Sequence, residues 1–217
     1  TVWLVLDRSA SMAVGAPGRG KHDVLSELAL VLARLFGRGG NRVGAILHDG
    51  ATARVVPPRT GRAHALRISH ELERASSPIA STTDFAVMLD ATAAMARRRS
   101  LIIVVSDFIG TGEWGKQLLR LVHRHDVVAL RVMDATDDEL PDAGLIVVED
   151  AETGEQLIVD SSDPLFRVRY RAGVDERDAV LAQTTRRANV PLHRIDTDQD
   201  LVEALVRVVA STRWRQS

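Results

Sequence analysis

Cysteine is absent from the 217 residues. Neither a disulfide nor a thiolate ligand or nucleophile is available, and a reducing cytoplasm is permitted. Aromatic residues are scarce at 4%, and the three tryptophans, Trp3, Trp114 and Trp214, are too scattered to form a stacking platform. Trp3 reads as core, and Trp114, which follows Asp107, as the one placed to touch a partner. Charge of one sign is also lacking. The 28 Lys and Arg residues against 29 Asp and Glu leave a formal charge of −1, whereas a nucleic-acid partner usually leaves a basic excess. No apolar run approaches the roughly 20 residues of a membrane span, and the opening Thr1-Val2-Trp3 lacks the basic flank of a signal peptide. A chain that opens without Met inside a strand pattern reads as a fragment. Upstream segments, membrane-spanning ones included, are therefore an expectation for a longer chain.

What is present is an alternation of buried strands and amphipathic helices. Val2 to Leu6 and Leu101 to Val105 are continuous apolar runs ending near Asp7 and Asp107, the mark of strands covered on both faces, and Val127 to Val132 reads as a third buried strand ending at Asp134. Val43 to Leu47 and Thr52 to Val56 flank Asp49-Gly50, a hairpin signal, with Pro57 and Pro58 closing the second strand. Helices are predicted from Val24 to Phe36, Ala63 to Arg74, Asp84 to Ala96, Trp114 to Arg124, Pro164 to Ala188 and Asp200 to Arg213, with a last strand over Pro191 to Ile195. Leu145 to Val148 and Gln156 to Val159 suggest a small hairpin exposed to solvent. The pattern predicts a single α/β domain over residues 1–217: a mostly parallel sheet, one antiparallel edge, and helices on both faces. Ligands of such sheets bind beyond the carboxyl ends of the strands.

At one such end stands Asp7-Arg8-Ser9-Ala10-Ser11. In extended backbone, alternate side chains face one way, so one carboxylate and two hydroxyls can converge. These hard oxygen donors suit Mg²⁺ or Mn²⁺ and not zinc. Taken alone, the motif is equally a capped turn. Its company favours a site, because Ser81-Thr82-Thr83-Asp84 precedes a helix and Ser106-Asp107-Phe108 ends another apolar strand.

These residues resemble a von Willebrand factor A (vWA) domain with a metal-ion-dependent adhesion site: D-x-S-x-S after the first strand, a Thr on a later loop, and an Asp after the fourth strand. The resemblance implies the vWA three-layer sandwich and metal ligands at Asp7, Ser9, Ser11, Thr83 and Asp107, with Thr82 the alternative to Thr83. The hydroxyls would bind directly and the carboxylates largely through waters, leaving one position open for a partner's carboxylate. Across nearly the whole chain it also resembles the bacterial vWA family encoded beside MoxR-type AAA+ ATPases. Leu4 to Met12, Asn41 to Gly44, Ser106 to Phe108, Asp126 to Val132, Glu139 to Gly144 and Asp150 to Gly154 carry that likeness. Ala135, where the family usually has Pro, and Ser81, where a Gly is common, depart from it.

By that resemblance the chain is expected to be a non-enzymatic, cytoplasmic binding module, with any membrane tether upstream. Its partners would be a MoxR-type ATPase or a protein presenting an acidic residue, and its work chaperone-like assembly or maturation. A metal-dependent hydrolase using the same ion to activate water is the alternative, although no general base stands out.

Other patterns read as structure. Gly15 to Lys21 fits G-x-x-x-x-G-K, but His22 replaces the Mg²⁺-binding hydroxyl and the loop starts too far from the strand, so it reads as a loop before a helix. His48-Asp49 reads as a surface turn. His123 and His125 diverge on a helix, and Arg97 to Arg99 and Arg213 to Arg215 read as solvated helix ends.

Overall fold

A computed structural model describes residues 1–13, 18–50, 52–74, 84–110, 112–140, 142–149 and 156–211. In chain order the elements are β1 (Val2–Asp7), α1 (Ala10–Ala13), α2 (Lys21–Arg38), β2 (Val43–His48), β3 (Ala53–Arg59), α3 (Arg62–Glu73), α4 (Phe85–Met95) and β4 (Leu101–Ser106). There follow α5 (Gly115–Arg124), β5 (Asp126–Met133), α6 (Ala135–Asp138), β6 (Leu145–Glu149), β7 (Gln156–Asp160), α7 (Pro164–Arg187), β8 (Leu192–Asp196) and α8 (Leu201–Ser211).

Six strands form one sheet in the order β3-β2-β1-β4-β5-β8. All pairings are parallel except β2 with β3. This is the three-layer α/β architecture that the vWA resemblance implies, with its antiparallel edge at β3. Strand alternation divides the core. Leu4, Leu6, Ile103 and Val105 point to one face, where α2, α3 and α8 supply Leu25, Leu28, Ile68 and Leu205. Trp3, Val5, Ile102 and Val104 point to the other, against Phe85, Met88 and Leu89 of α4 and Leu118 and Leu121 of α5. Trp3 is thus core, as its place in an apolar strand predicts. Because both faces are covered, β1 and β2 are buried at every position, and it is this burial that makes them read as unbroken apolar runs.

The chain passes from β1 through α2 to β2 on one side, while β4 pairs with β1 on the other. The order therefore reverses at the carboxyl ends of β1 and β4, the crevice where sheets of this kind bind ligands.

One strand boundary differs from expectation. Pro57 and Pro58 do not close β3, which continues to Arg59. The register steps from Val43↔Arg59 to Ala45↔Val56, so two prolines stand opposite Gly44 alone, a bulge on an edge strand where missing N–H groups are tolerated. Gly44 is needed at that point. A Cβ there would lie 2.8 Å from the Trp3 ring and 2.9 Å from Pro58 Cγ. Gly44→Ala is expected to cost about 2–3 kcal/mol, in the overpacking range, read as a lowered midpoint in urea unfolding.

The hairpin expected between residues 145 and 159 is present as an antiparallel β6–β7 pair. It exposes Leu145, Val147 and Ile158 to solvent. Its turn around Gly154, a candidate second contact, lies outside the described residues. Among the described residues no helix is long and apolar enough to cross a membrane.

Candidate metal centre

Asp7 ends β1, and the register that places Leu6 beside Val105 brings Asp7 next to Ser106 at the end of β4. The Ser106 hydroxyl donates to Asp7 Oδ2 at 2.6 Å, and the Ser9 amide donates to Asp7 Oδ1 at 2.9 Å. The Ser9 and Ser11 hydroxyl oxygens lie 3.0 Å apart. Three of the expected ligands therefore converge, though not by extended alternation. Ser11 lies in the short helix α1, and a helical turn at Met12, whose amide donates to the Ser9 carbonyl at 3.1 Å, folds it back toward Ser9.

Asp107 follows β4 directly. Its Oδ1 accepts from the Ile109 amide at 3.0 Å, while the Phe108 amide donates to Ser106 Oγ at 2.8 Å. These bonds hold Phe108 in the left-handed region, at φ 57°, which is costly for a bulky residue. The Phe108 ring packs on Phe85 and Trp114, with centroids 5.6 Å and 6.0 Å away, and that burial offsets the strain. Trp114, the tryptophan placed to touch a partner, is part of this partly buried aromatic cluster beside the site.

Thr83 and its alternative Thr82 lie outside the described residues. Asp84, next in the chain, caps α4 by accepting from the Ala86 and Val87 amides.

Both carboxylates are fully buried. Burial, and then the neighbouring charge of Asp107, push the Asp7 carboxyl up to about 6, against the lowering pull of the Ser106 and Ser9 hydrogen bonds. Two like charges in one dry crevice call for a counter-cation, and part of it is supplied within the chain. Lys21, only 2% exposed, places its ammonium 3.0 Å from Asp107 Oδ2 and 3.0 Å from Asp137 Oδ1. Burial works against this charge, but Asp107 and Asp137 outweigh it and the amine is held above its usual value.

Lys21, Ser106 and Asp137 escape the sequence reading. Lys21 is the lysine of the G-x-x-x-x-G-K pattern, which carries no phosphate-loop geometry here: α2 begins at Gly20-Lys21, with Asp23 accepting from the Gly20 amide at 2.9 Å. One signal was available, since a cation in the first turn of a helix opposes the macrodipole and needs another reason to be there. His48 also differs from expectation. It is buried beside Asp7 in the register and accepts from the Gly50 amide at 3.2 Å through Nδ1. Burial lowers its pKa against the raising charges of Asp49 and Asp84. His125 ends α5 as its C-cap and does not continue the helix.

The family described as "Protein of unknown function DUF58" matches residues 1–180. The chain belongs to the DUF58 family. An uncharacterised protein of Mycobacterium tuberculosis is 38% identical over 216 residues, 97% of this chain and 67% of its own length. An uncharacterised Mycobacterium avium protein is 32% identical over 73% of this chain and 94% of its own length. Among solved structures, an aerotolerance-related membrane protein from Bacteroides fragilis superposes on this DUF58 chain with a TM-score of 0.59. It is 16% identical, over 97% of this chain and 98% of its own. At that identity the likeness shows the fold alone.

The donor set of this DUF58 domain fits a hard divalent cation. Asp7, Ser9, Ser11 and Asp107 offer only oxygens, and burial together with the charge of Asp107 raises the Asp7 carboxyl. Among the described residues no group of three or more His, Cys, Asp or Glu side chains forms a metal cluster, so any ion would rest on a mixed set of carboxylates and hydroxyls. Each carboxylate oxygen already accepts one hydrogen bond, an arrangement better suited to holding an ion through water than to chelating it directly.

Proposed function

We propose that this DUF58 domain is a non-enzymatic docking module. In this reading Mg²⁺ or Mn²⁺, held by Asp7, Ser9, Ser11, Thr83 and Asp107, captures an acidic residue of a partner protein. The observation that carries it is the convergence, at the reversal point of the sheet, of two fully buried carboxylates and two hydroxyls 3.0 Å apart. A divalent ion there would keep much of its positive charge, because hydroxyls and water-bridged carboxylates neutralise it weakly, and would draw an outside carboxylate.

The gene-neighbour resemblance supplies the partner class, a MoxR-type AAA+ ATPase, and with it a role in chaperone-like assembly or maturation. A tether upstream of the domain, on the cytoplasmic side of a membrane, agrees with the membrane protein from Bacteroides fragilis that shares its fold.

Affinity capture from the native cell tests the proposal, with wild type and Ser9→Ala as baits, in Mg²⁺ and in EDTA. An AAA+ ATPase retained by wild type in Mg²⁺, and lost both in EDTA and with Ser9→Ala, is the expected result. Equal capture under all conditions contradicts it.

A further inference from the structure

Lys21 stands out among the buried groups because it is a nearly fully buried cation in direct contact with a candidate metal ligand. Its position is not one that α2 would choose. As the first residue of the helix it sets a positive charge against the positive end of the macrodipole, and it is 2% exposed where lysines almost always reach water. The two carboxylates that hold it come from the ends of two adjacent parallel strands. Asp107 follows β4, whereas Asp137 lies in α6, where its other oxygen accepts from the Asp134 amide at 2.8 Å. That bond fixes Asp137 at the end of β5, so the ammonium is suspended between two anchored anions, at 3.0 Å from each.

We propose that Lys21 is a built-in counter-cation of the metal centre, shared between Asp107 and Asp137, and that it sets the affinity for a divalent ion. The inference rests on the reading that Asp7, Ser9, Ser11 and Asp107 bind such an ion. An ammonium on Asp107 Oδ2 neutralises part of the charge that attracts the ion, and in a crevice shielded from water that repulsion is poorly screened. Lys21 therefore weakens the hold on the ion. Asp137 moderates this effect by taking half of the ammonium's hydrogen bonding away from Asp107. The two residues act in opposite directions on one equilibrium, although neither belongs to the expected ligand set.

The geometry gives a paired prediction for calorimetric titration of the whole chain with MgCl₂ at pH 8. Lys21→Met, similar in length and uncharged, is expected to bind Mg²⁺ at least about tenfold more tightly than wild type. Asp137→Asn, which leaves the ammonium wholly to Asp107 while its amide oxygen can still accept from Asp134, is expected to bind several-fold more weakly. Asp7→Ala serves as the reference without binding. A purely structural lysine would lower stability and leave the Mg²⁺ affinity unchanged.

If wild type binds and Asp7→Ala does not, but Lys21→Met is no tighter, the counter-cation role is overturned and the metal centre stands. Should Lys21→Met fail to fold, Asp137→Asn decides alone, and equal or tighter binding by it overturns the role. Absence of binding by wild type, Lys21→Met and Asp137→Asn alike overturns both readings.

Discussion

Replacing Asp7 by Asn is expected to stabilise the protein in divalent-free buffer while abolishing its response to Mg²⁺. The carboxyl is fully buried and takes its proton near 6, against 3.8 for the ordinary group. Between those values the native state holds a proton that the unfolded chain has released. Asp7's contribution is therefore fully present below about pH 4 and is lost as the pH rises through about 6. Above that, the ionised side chain costs the fold about 3 kcal/mol. Asn keeps the shape and the acceptor for the Ser9 amide without the charge. Urea unfolding in EDTA from pH 4 to pH 8 should show the variant pulling ahead of wild type by about 2–3 kcal/mol as the pH passes 6. A variant less stable than wild type at pH 8 would show that Asp7 is not the strained member of the site. The expected trade is one often met at functional sites, where stability is given up for binding.

Asp107→Ala is expected to do the reverse, although it also removes a ligand. Asp107 is the partner of a lysine that is only 2% exposed, with Nζ to Oδ2 at 3.0 Å. Deleting it leaves the ammonium to Asp137 alone and strips the Ile109 amide of its acceptor. Removing one member of a buried ion pair is strongly destabilising because the other charge stays behind. A loss of about 3 kcal/mol is expected at pH 7, read as a lower urea midpoint in EDTA. Much of it should return in the double variant Lys21→Met/Asp107→Ala, which removes both charges, and the four proteins form a double-mutant cycle. If Asp107→Ala were neutral, the ion pair would not be holding the loop after β4. With Asp107→Ala destabilising and Asp7→Asn stabilising, two carboxylates of one centre differ in sign for stability, a contrast that a simple repulsion model of the site does not produce.

The elements most readable in the sequence were those whose environment imposes a period. β1 and β4 are sandwiched between helices and so appear as continuous apolar runs, each ending in a carboxylate or a hydroxyl at the sheet's carboxyl edge. Asp7 and Asp107 were legible for the same reason, since polar residues just past a buried strand have few roles other than turns or sites. What the sequence could not convey was geometry made by pairing across it. Ser106 looks like a strand residue until the β1–β4 register sets it against Asp7. Lys21 and Asp137 are 116 positions apart, and only the sheet order β1-β4-β5 sets the start of α2 beside the ends of β4 and β5. The local logic also misplaced two side chains. Ser11 reaches Ser9 through a helical turn and not through extended alternation. His48, read as part of a surface turn, is buried because the hairpin bends after it and not before.

One divalent ion is expected to bind at Asp7, Ser9, Ser11 and Asp107. The most direct measurement is titration of the protein with Mn²⁺, following the free ion by its electron paramagnetic resonance signal, for wild type and for the double variant Ser9→Ala/Ser11→Ala. The two hydroxyls lie 3.0 Å apart and that of Ser9 also bonds the Asp7 side chain, so circular dichroism first checks that the variant is folded. One Mn²⁺ bound per wild-type chain, displaced by excess Mg²⁺ and weakened at least about tenfold in the variant, is the predicted result. No bound Mn²⁺ in wild type, or the same affinity in both proteins, would contradict the account.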